Sequence, residues 1–351
     1  MHRSVAQVLD RLKSEGMATD AAYEPARAAL RPELESHLPW FLRVAVGLGA
    51  WVATGFLLGF FVALAQLDNP IVRIVVGAAL VAGGVYVRHT SVSEFRKHAA
   101  VAGSLAGQAL IIAGIHEFTD SLLISSVALF ALSLGLIAVF RDGLHRFLST
   151  LAACGAAYVA FTDERGMRGF EIITIGIIIA AAVVWRYRLS SRSEALADVL
   201  RPVGYALVVA FFAALLADTV THYREFAIDT DDMLRLSRVA TVVLMLGLSW
   251  LAWAVVDEHS ADRPAAFAAI TGVIVLGLAT LSTPGILGGA AVLALAFDRR
   301  DRVLLGMGVI FLLVFGSVYY YSLNLTLLEK SGVLVGSGML LLAIRHRLTR
   351  A

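Results

Sequence analysis

Four charged residues interrupt stretches that are otherwise oil-soluble: Arg73, Glu171, Glu329 and Lys330. An ionised side chain at the centre of a membrane helix costs roughly 2.5–3.5 kcal/mol on insertion scales. Such groups persist where they pair, line a polar site or reach back to the headgroups. All four lie about one turn inside the same predicted membrane boundary, a depth from which long side chains reach water. Two chemistries fit. One is interfacial anchoring with structural ion pairing. The other is a polar site opening to the outer face, lined by Arg73, Glu171 and Glu329. Neighbouring helical residues point about 100° apart, so Glu329 and Lys330 cannot face one partner together. The pattern predicts that Arg73 or Lys330 neutralises Glu329 or Glu171. Gln108 sits at the middle of another apolar run, with Ser104 one turn away. A buried amide needs a partner, so a helix–helix hydrogen bond is its expected use and a substrate contact the alternative.

The remaining polar groups offer weaker chemistry. His116, Glu117 and Asp120 share one tight loop, and Asp218 and His222 have i,i+4 spacing. Either set could meet a cation, yet neither matches a zinc motif such as HExxH. Acidic outer loops are also the ordinary complement of basic inner ones. The single cysteine, Cys154, rules out an intramolecular disulfide and a cysteine metal cluster. No P-loop, GxGxxG or GxSxG motif occurs. The expectation is therefore no catalytic residue, no metal and no cofactor. A lipid-directed intramembrane enzyme would need a convergent carboxylate or histidine site on the outer rim, and no motif supports one.

These residues are positioned by long apolar elements. Of the 351 residues, 59% are hydrophobic and 16% charged, against roughly 45–50% and 25% in soluble domains. The excess falls in runs near the roughly 20 residues that cross the hydrocarbon core as a helix. Twelve are predicted: 42–66, 70–87, 99–116, 121–140, 145–161, 169–187, 202–219, 236–256, 264–282, 284–297, 303–321 and 327–345. The run 284–297 is short, so a tilted, thinned or re-entrant passage is open to it. Residues 1–40 are polar, without a cleavable signal, and form a short helical hairpin on the cytoplasmic face or a solvated leader. The expected fold is all-α: a polytopic transmembrane bundle of about 12 helices over 41–346, preceded by that segment.

Basic residues favour the cytoplasmic side of short loops. With the N-terminus inside, twenty-two of the 29 lysines and arginines fall on cytoplasmic segments and five on outer ones. Alternation holds through Arg345, Arg347 and Arg350, which places both termini in the cytoplasm and makes 284–297 a crossing. The short inner loops owe their charge to topology, and nucleic-acid binding does not follow. Gly55/Gly59, Gly103/Gly107 and Gly332/Gly336 have the spacing that lets membrane helices approach closely. Trp40, Trp51, Trp185, Tyr187 and Tyr319 to Tyr321 lie near predicted interfaces, as an aromatic belt would. No internal repeat is visible.

The segments Ser282-Thr283-Pro284-Gly285-Ile286-Leu287, Arg302-Val303-Leu304-Leu305-Gly306, Tyr319-Tyr320-Tyr321 and Leu325-Thr326-Leu327-Leu328-Glu329-Lys330-Ser331 resemble an uncharacterised bacterial membrane family, a domain of unknown function. Its members are often encoded beside a second membrane protein bearing a GDYxxLxY motif, which this chain lacks. The opening hairpin and the next spans resemble, more loosely, a related family of membrane proteins. The resemblance implies a multi-pass protein of the bacterial inner (plasma) membrane and a partner of the GDYxxLxY type, and no activity. It also draws Tyr320, Tyr321, Thr326, Glu329, Lys330 and Ser331 to one outer helix–helix turn. Two readings follow: a non-enzymatic subunit binding a partner at its outer face, or a transporter for a small solute or ion. A polar cavity reaching the midplane would favour transport, and a solid core with an exposed outer patch would favour the subunit.

Overall fold

The computed structural model describes residues 69–90, 94–190, 194–224, 238–250, 263–280 and 284–322, with Lys13, Ser14, Tyr23, Gly49, Val52, Gly55, Gly59 and Trp253 besides. Among these residues the regular structure is entirely helical. Ten helices can be followed in the described residues: α1 (Pro70–Thr90), α2 (Glu94–Thr119), α3 (Leu122–Val139), α4 (Gly143–Arg165), α5 (Met167–Ser190), α6 (Glu194–Arg224), α7 (Arg238–Trp250), α8 (Arg263–Ala279), α9 (Pro284–Arg299) and α10 (Arg302–Ser322). Each coincides with one of the expected runs. The other two runs, 42–66 and 327–345, lie outside the described residues except for Gly49, Val52, Gly55 and Gly59, which are helical. The described count is therefore ten helices against about twelve expected. Among the described residues α1, α2, α3, α4 and α6 are long and apolar enough to cross a membrane. Of the N-terminal hairpin, only Lys13, Ser14 and Tyr23 are described. They are helical, and the Lys13 ammonium lies 4.1 Å from the centroid of the Tyr23 ring.

The chain forms two compact units, Met1–Gly107 and Gln108–Ala351, with the division inside α2. In the first, α1 and the start of α2 meet backbone to backbone. A Cβ on Gly107 would stand 2.6 Å from the Gly77 carbonyl oxygen, and one on Gly84 would stand 2.8 Å from that of Ala100. The small-residue spacing thus locates one close approach at Gly107. Gly55, Gly59 and Gly103 have open space where a Cβ would be, and Gly332 and Gly336 lie outside the described residues.

In the second unit α3 is built inside out. Its buried positions are Ser125, Ser126, Ser133 and Leu136, while Leu122, Ile124, Val127 and Leu134 are exposed. α3 packs on α4, whose buried face carries Ser149, Thr150, Ala153 and Ala156. Water would drive the opposite arrangement. Where the surroundings are as apolar as leucine, small inward residues gain van der Waals contact and the large ones lose nothing by facing out. α6 is the central element, in contact with α4, α5, α9 and α10. Its Phe211, Phe212 and Leu215 join Leu287, Leu304, Phe315 and Trp185 in the core.

The short α9 is nearly enclosed. Its Gly285, Gly288 and Gly289 are buried beneath Phe315, Phe211 and Leu312, each so close that a Cβ would overlap the side chain. α9 ends in a tight reversal. Arg300 takes a left-handed conformation (φ 51°), its N–H donates to Phe297 O, and Asp301 N–H donates to Ala296 O. That is the paired bond pattern of a Schellman cap. Asp301 Oδ1 then accepts from the N–H groups of Val303 and Leu304 at 3.0 and 3.2 Å and so starts α10.

Candidate functional site

The residues singled out by charge fall as follows. Arg73 lies in the first turn of α1, half-buried, where Asn69 caps the helix by accepting from Ile71 N–H at 2.9 Å. Glu171 is in the first turns of α5, and Tyr320 and Tyr321 are in the last turn of α10. Thr326, Glu329, Lys330 and Ser331 lie outside the described residues, and with them the ion pairs expected of Glu329 and Lys330. Among the described residues no three His, Cys, Asp or Glu side chains gather as metal ligands. His116 Nδ1 is 3.3 Å from Ser125 Oγ.

Gln108 is buried, 3% exposed, and its Nε2 has no hydrogen-bond partner among the described residues. The expected helix–helix bond from that amide nitrogen is not made there. A buried polar group without a partner costs about 1–3 kcal/mol by protein mutational data. Gln108→Met keeps the length and removes the amide. The purified variant should melt at a higher temperature than wild type, by about 1 kcal/mol or more of added stability. A lower melting temperature would show that the amide has a partner.

Among the described residues the most deeply set arginine stands at the start of the run 145–161. Arg146 is 8% exposed, in the first turn of α4. Its position follows from Asp142, the N-cap, whose Oδ1 accepts from His145 N–H at 3.0 Å. Arg146 Nε donates to Ile137 O at 3.1 Å, and a terminal guanidinium nitrogen donates to Asp198 O at 3.4 Å. Both acceptors lack a helical donor. Ile137 is in the last turn of α3, where carbonyls outrun the ladder. Asp198 is four residues before Pro202, which has no N–H to give. One guanidinium, always charged and rigidly forked, thus joins α3, α4 and α6. Beside it the Phe140 ring stacks on His145 at 3.8 Å, and Ser149 Oγ is 3.2 Å from His145 Nδ1. The readable signal was Pro202 with an arginine at the head of a neighbouring helix.

A second polar chain joins α6 to the α9–α10 reversal. Tyr205 OH donates to Asp301 Oδ2 at 2.5 Å, and Arg201 Nε donates to Tyr205 OH at 3.5 Å. Trp185, expected in an aromatic belt, is instead core. It is 2% exposed, meets Tyr205 edge to face at 5.5 Å and fits over Gly204.

α5, α6, α7 and α9 line an apolar cavity of about 150 Å³ that is partly open at the helix surface. Its walls are Ile178, Phe211, Val243, Leu248 and Leu295, with Trp185 and Trp250 beside them. Asp298 and Arg299, whose Oδ2 and Nε are 2.9 Å apart, supply its charged lining. Three buried hydroxyls bond within their own helices, Thr150 donating to Arg146 O, Thr174 to Phe170 O and Thr280 to Leu276 O, whereas Ser133 Oγ has no partner among the described residues. Tyr158 OH and Thr174 Oγ1 meet at 3.0 Å between α4 and α5. Such an interior can hold helices together and can receive an apolar group.

Among proteins of curated function and among solved structures, nothing matches the chain. The family described as Domain of unknown function (DUF4401) matches residues 39–351. By that match the chain belongs to the DUF4401 family.

Proposed function

We propose that this chain is a non-enzymatic, multi-pass subunit of the bacterial inner membrane, with about twelve spans and both termini in the cytoplasm. It works by holding a second membrane protein at its outer face. One observation carries the choice against transport. In the described interior Arg146, Thr150 and Thr174 are tied to helix backbones, and the cavity between α5, α6, α7 and α9 is apolar. A solute pathway needs the opposite, polar groups facing an open route near the midplane. The inside-out α3 and the exposed apolar faces of the other helices support the membrane placement. The partner surface in this reading is the turn after α10, from Tyr320 and Tyr321 through Thr326, Glu329, Lys330 and Ser331, and the partner is of the GDYxxLxY type. Tagged chain isolated from its native membrane in mild detergent should bring down one second membrane protein in stoichiometric amount. Charge reversal at Glu329 and Lys330 should release it. Repeated recovery of the chain alone would remove the subunit reading and return transport, with Gln108 as its first residue to examine.

A further inference from the structure

We propose that the cavity between α5, α6, α7 and α9 is a binding site for one acyl chain of a phospholipid, with the lipid phosphate held at Arg299. The inference rests on the membrane placement above and goes beyond it, since a subunit needs no lipid of its own.

The shape of the site argues for a chain. The α9 wall runs from Ala291 to Arg299, eight residue steps or about 12 Å at the helical rise. Along that length the lining is aliphatic and aromatic, and polarity enters only at Asp298 and Arg299. An apolar cavity stays dry and accepts apolar guests. In a bilayer the abundant apolar guest is a lipid tail. The polar end argues for the headgroup. Arg299 opens a run, Asp298 to Arg302, with three arginines and two aspartates. Asp301 is committed to the α10 cap and to Tyr205, and Asp298 to Arg299. The run as a whole carries three arginines against two aspartates, so a net positive charge stands beside the Asp298–Arg299 pair and complements a phosphate. Trp185 and Trp250 line the same cavity, and their amphipathic rings suit the level where tail meets headgroup. Gly247 on α7 lines it too, with nothing within 4 Å of where its Cβ would be. A leucine there meets no neighbour at its Cβ and is long enough to reach into the space assigned to the lipid.

Trp185 supplies the reporter, because it is 2% exposed and so shielded from bulk lipid. The full-length protein, with its other four tryptophans changed to Phe, is reconstituted in vesicles of phosphatidylglycerol carrying brominated acyl chains. Bromine quenches tryptophan on contact. Trp185 fluorescence should be strongly quenched, Gly247→Leu should abolish that quenching, and Arg299→Gln should lose most of it. A second protein keeps only Trp253, which is 46% exposed, and reports bulk lipid. Quenching of Trp253 with none of Trp185 overturns the lipid site alone. Quenching of neither overturns the membrane placement, and the site with it. Should the multiple tryptophan variants fail to fold, mass spectrometry of the purified wild-type protein decides. One phospholipid retained per chain, and lost in Gly247→Leu, supports the site. Equal retention by both proteins, or by neither, overturns it.

Discussion

Gly169→Ala should lower the melting temperature of the purified protein by several degrees, a loss of about 3 kcal/mol or more, at the upper end for overpacking. Gly169 is buried in the first turn of α5, immediately after the reversal from α4. The reversal depends on Gly166, which takes φ 57° and returns its N–H to Thr162 O at 2.8 Å. Gly169 N–H then donates to Gly166 O at 3.0 Å. This brings the start of α5 back across the end of α4, so that a Cβ on Gly169 would overlap the Phe161 carbonyl and stand 3.1 Å from Thr162 N. The obstacle is backbone, which cannot rotate away as a side chain can. Tyr158 against Phe170, with ring centroids 5.0 Å apart, and Tyr158 OH against Thr174 hold the two helices at that distance. Gly176 is the control on the same helix. It has no neighbour within 4 Å of a Cβ, and Gly176→Ala should be neutral or stabilising by about 0.5–1 kcal/mol through helix propensity. Thermal unfolding in detergent distinguishes them. Equal effects of the two alanines would refute the close approach.

Arg146→Ala should cost about 2 kcal/mol, because it strips a charged donor from two partly buried carbonyls at once. The part due to Asp198 has its own test. Pro202→Ala restores the N–H that α6 lacks opposite Asp198 O. In that background Arg146→Ala should cost measurably less than in wild type, and the double-mutant cycle gives the coupling directly. Strict additivity would mean that Arg146 does not serve the gap left by Pro202. Arg146→Lys should fall between wild type and Ala, since an ammonium is a compact point charge without the planar fork that reaches both carbonyls.

How much of this could be read from the sequence depends on whether the property was local. The helices were legible because an apolar run of bilayer length is a one-dimensional signal, and ten of the runs coincide with helices. Of the small-residue pairs only Gly107 marks a close approach among the described residues, while its partner Gly103 has open space. The division between interface and core was not legible. Trp185 and Arg146 both stand near the ends of apolar runs, where rings and cations normally mark the headgroup level. Whether such a residue turns outward or inward depends on its neighbours. For Trp185 that neighbour is Gly204, which leaves room for the indole, and for Arg146 it is a carbonyl freed by a proline on another helix. Pairings of that kind join residues 19 and 52 positions apart, and no periodicity carries them. The outer turn from Thr326 to Ser331 lies outside the described residues, so its reading still rests on sequence.

The inward serines of α3 have a thermal consequence. Parting α3 from α4 uncovers hydroxyls and small side chains rather than a greasy interior. Heat capacity rises on unfolding in proportion to newly wetted apolar area. For this helix pair the rise should therefore be small. Its stability should fall steadily on warming and show no decline on cooling, unlike that of a water-soluble core.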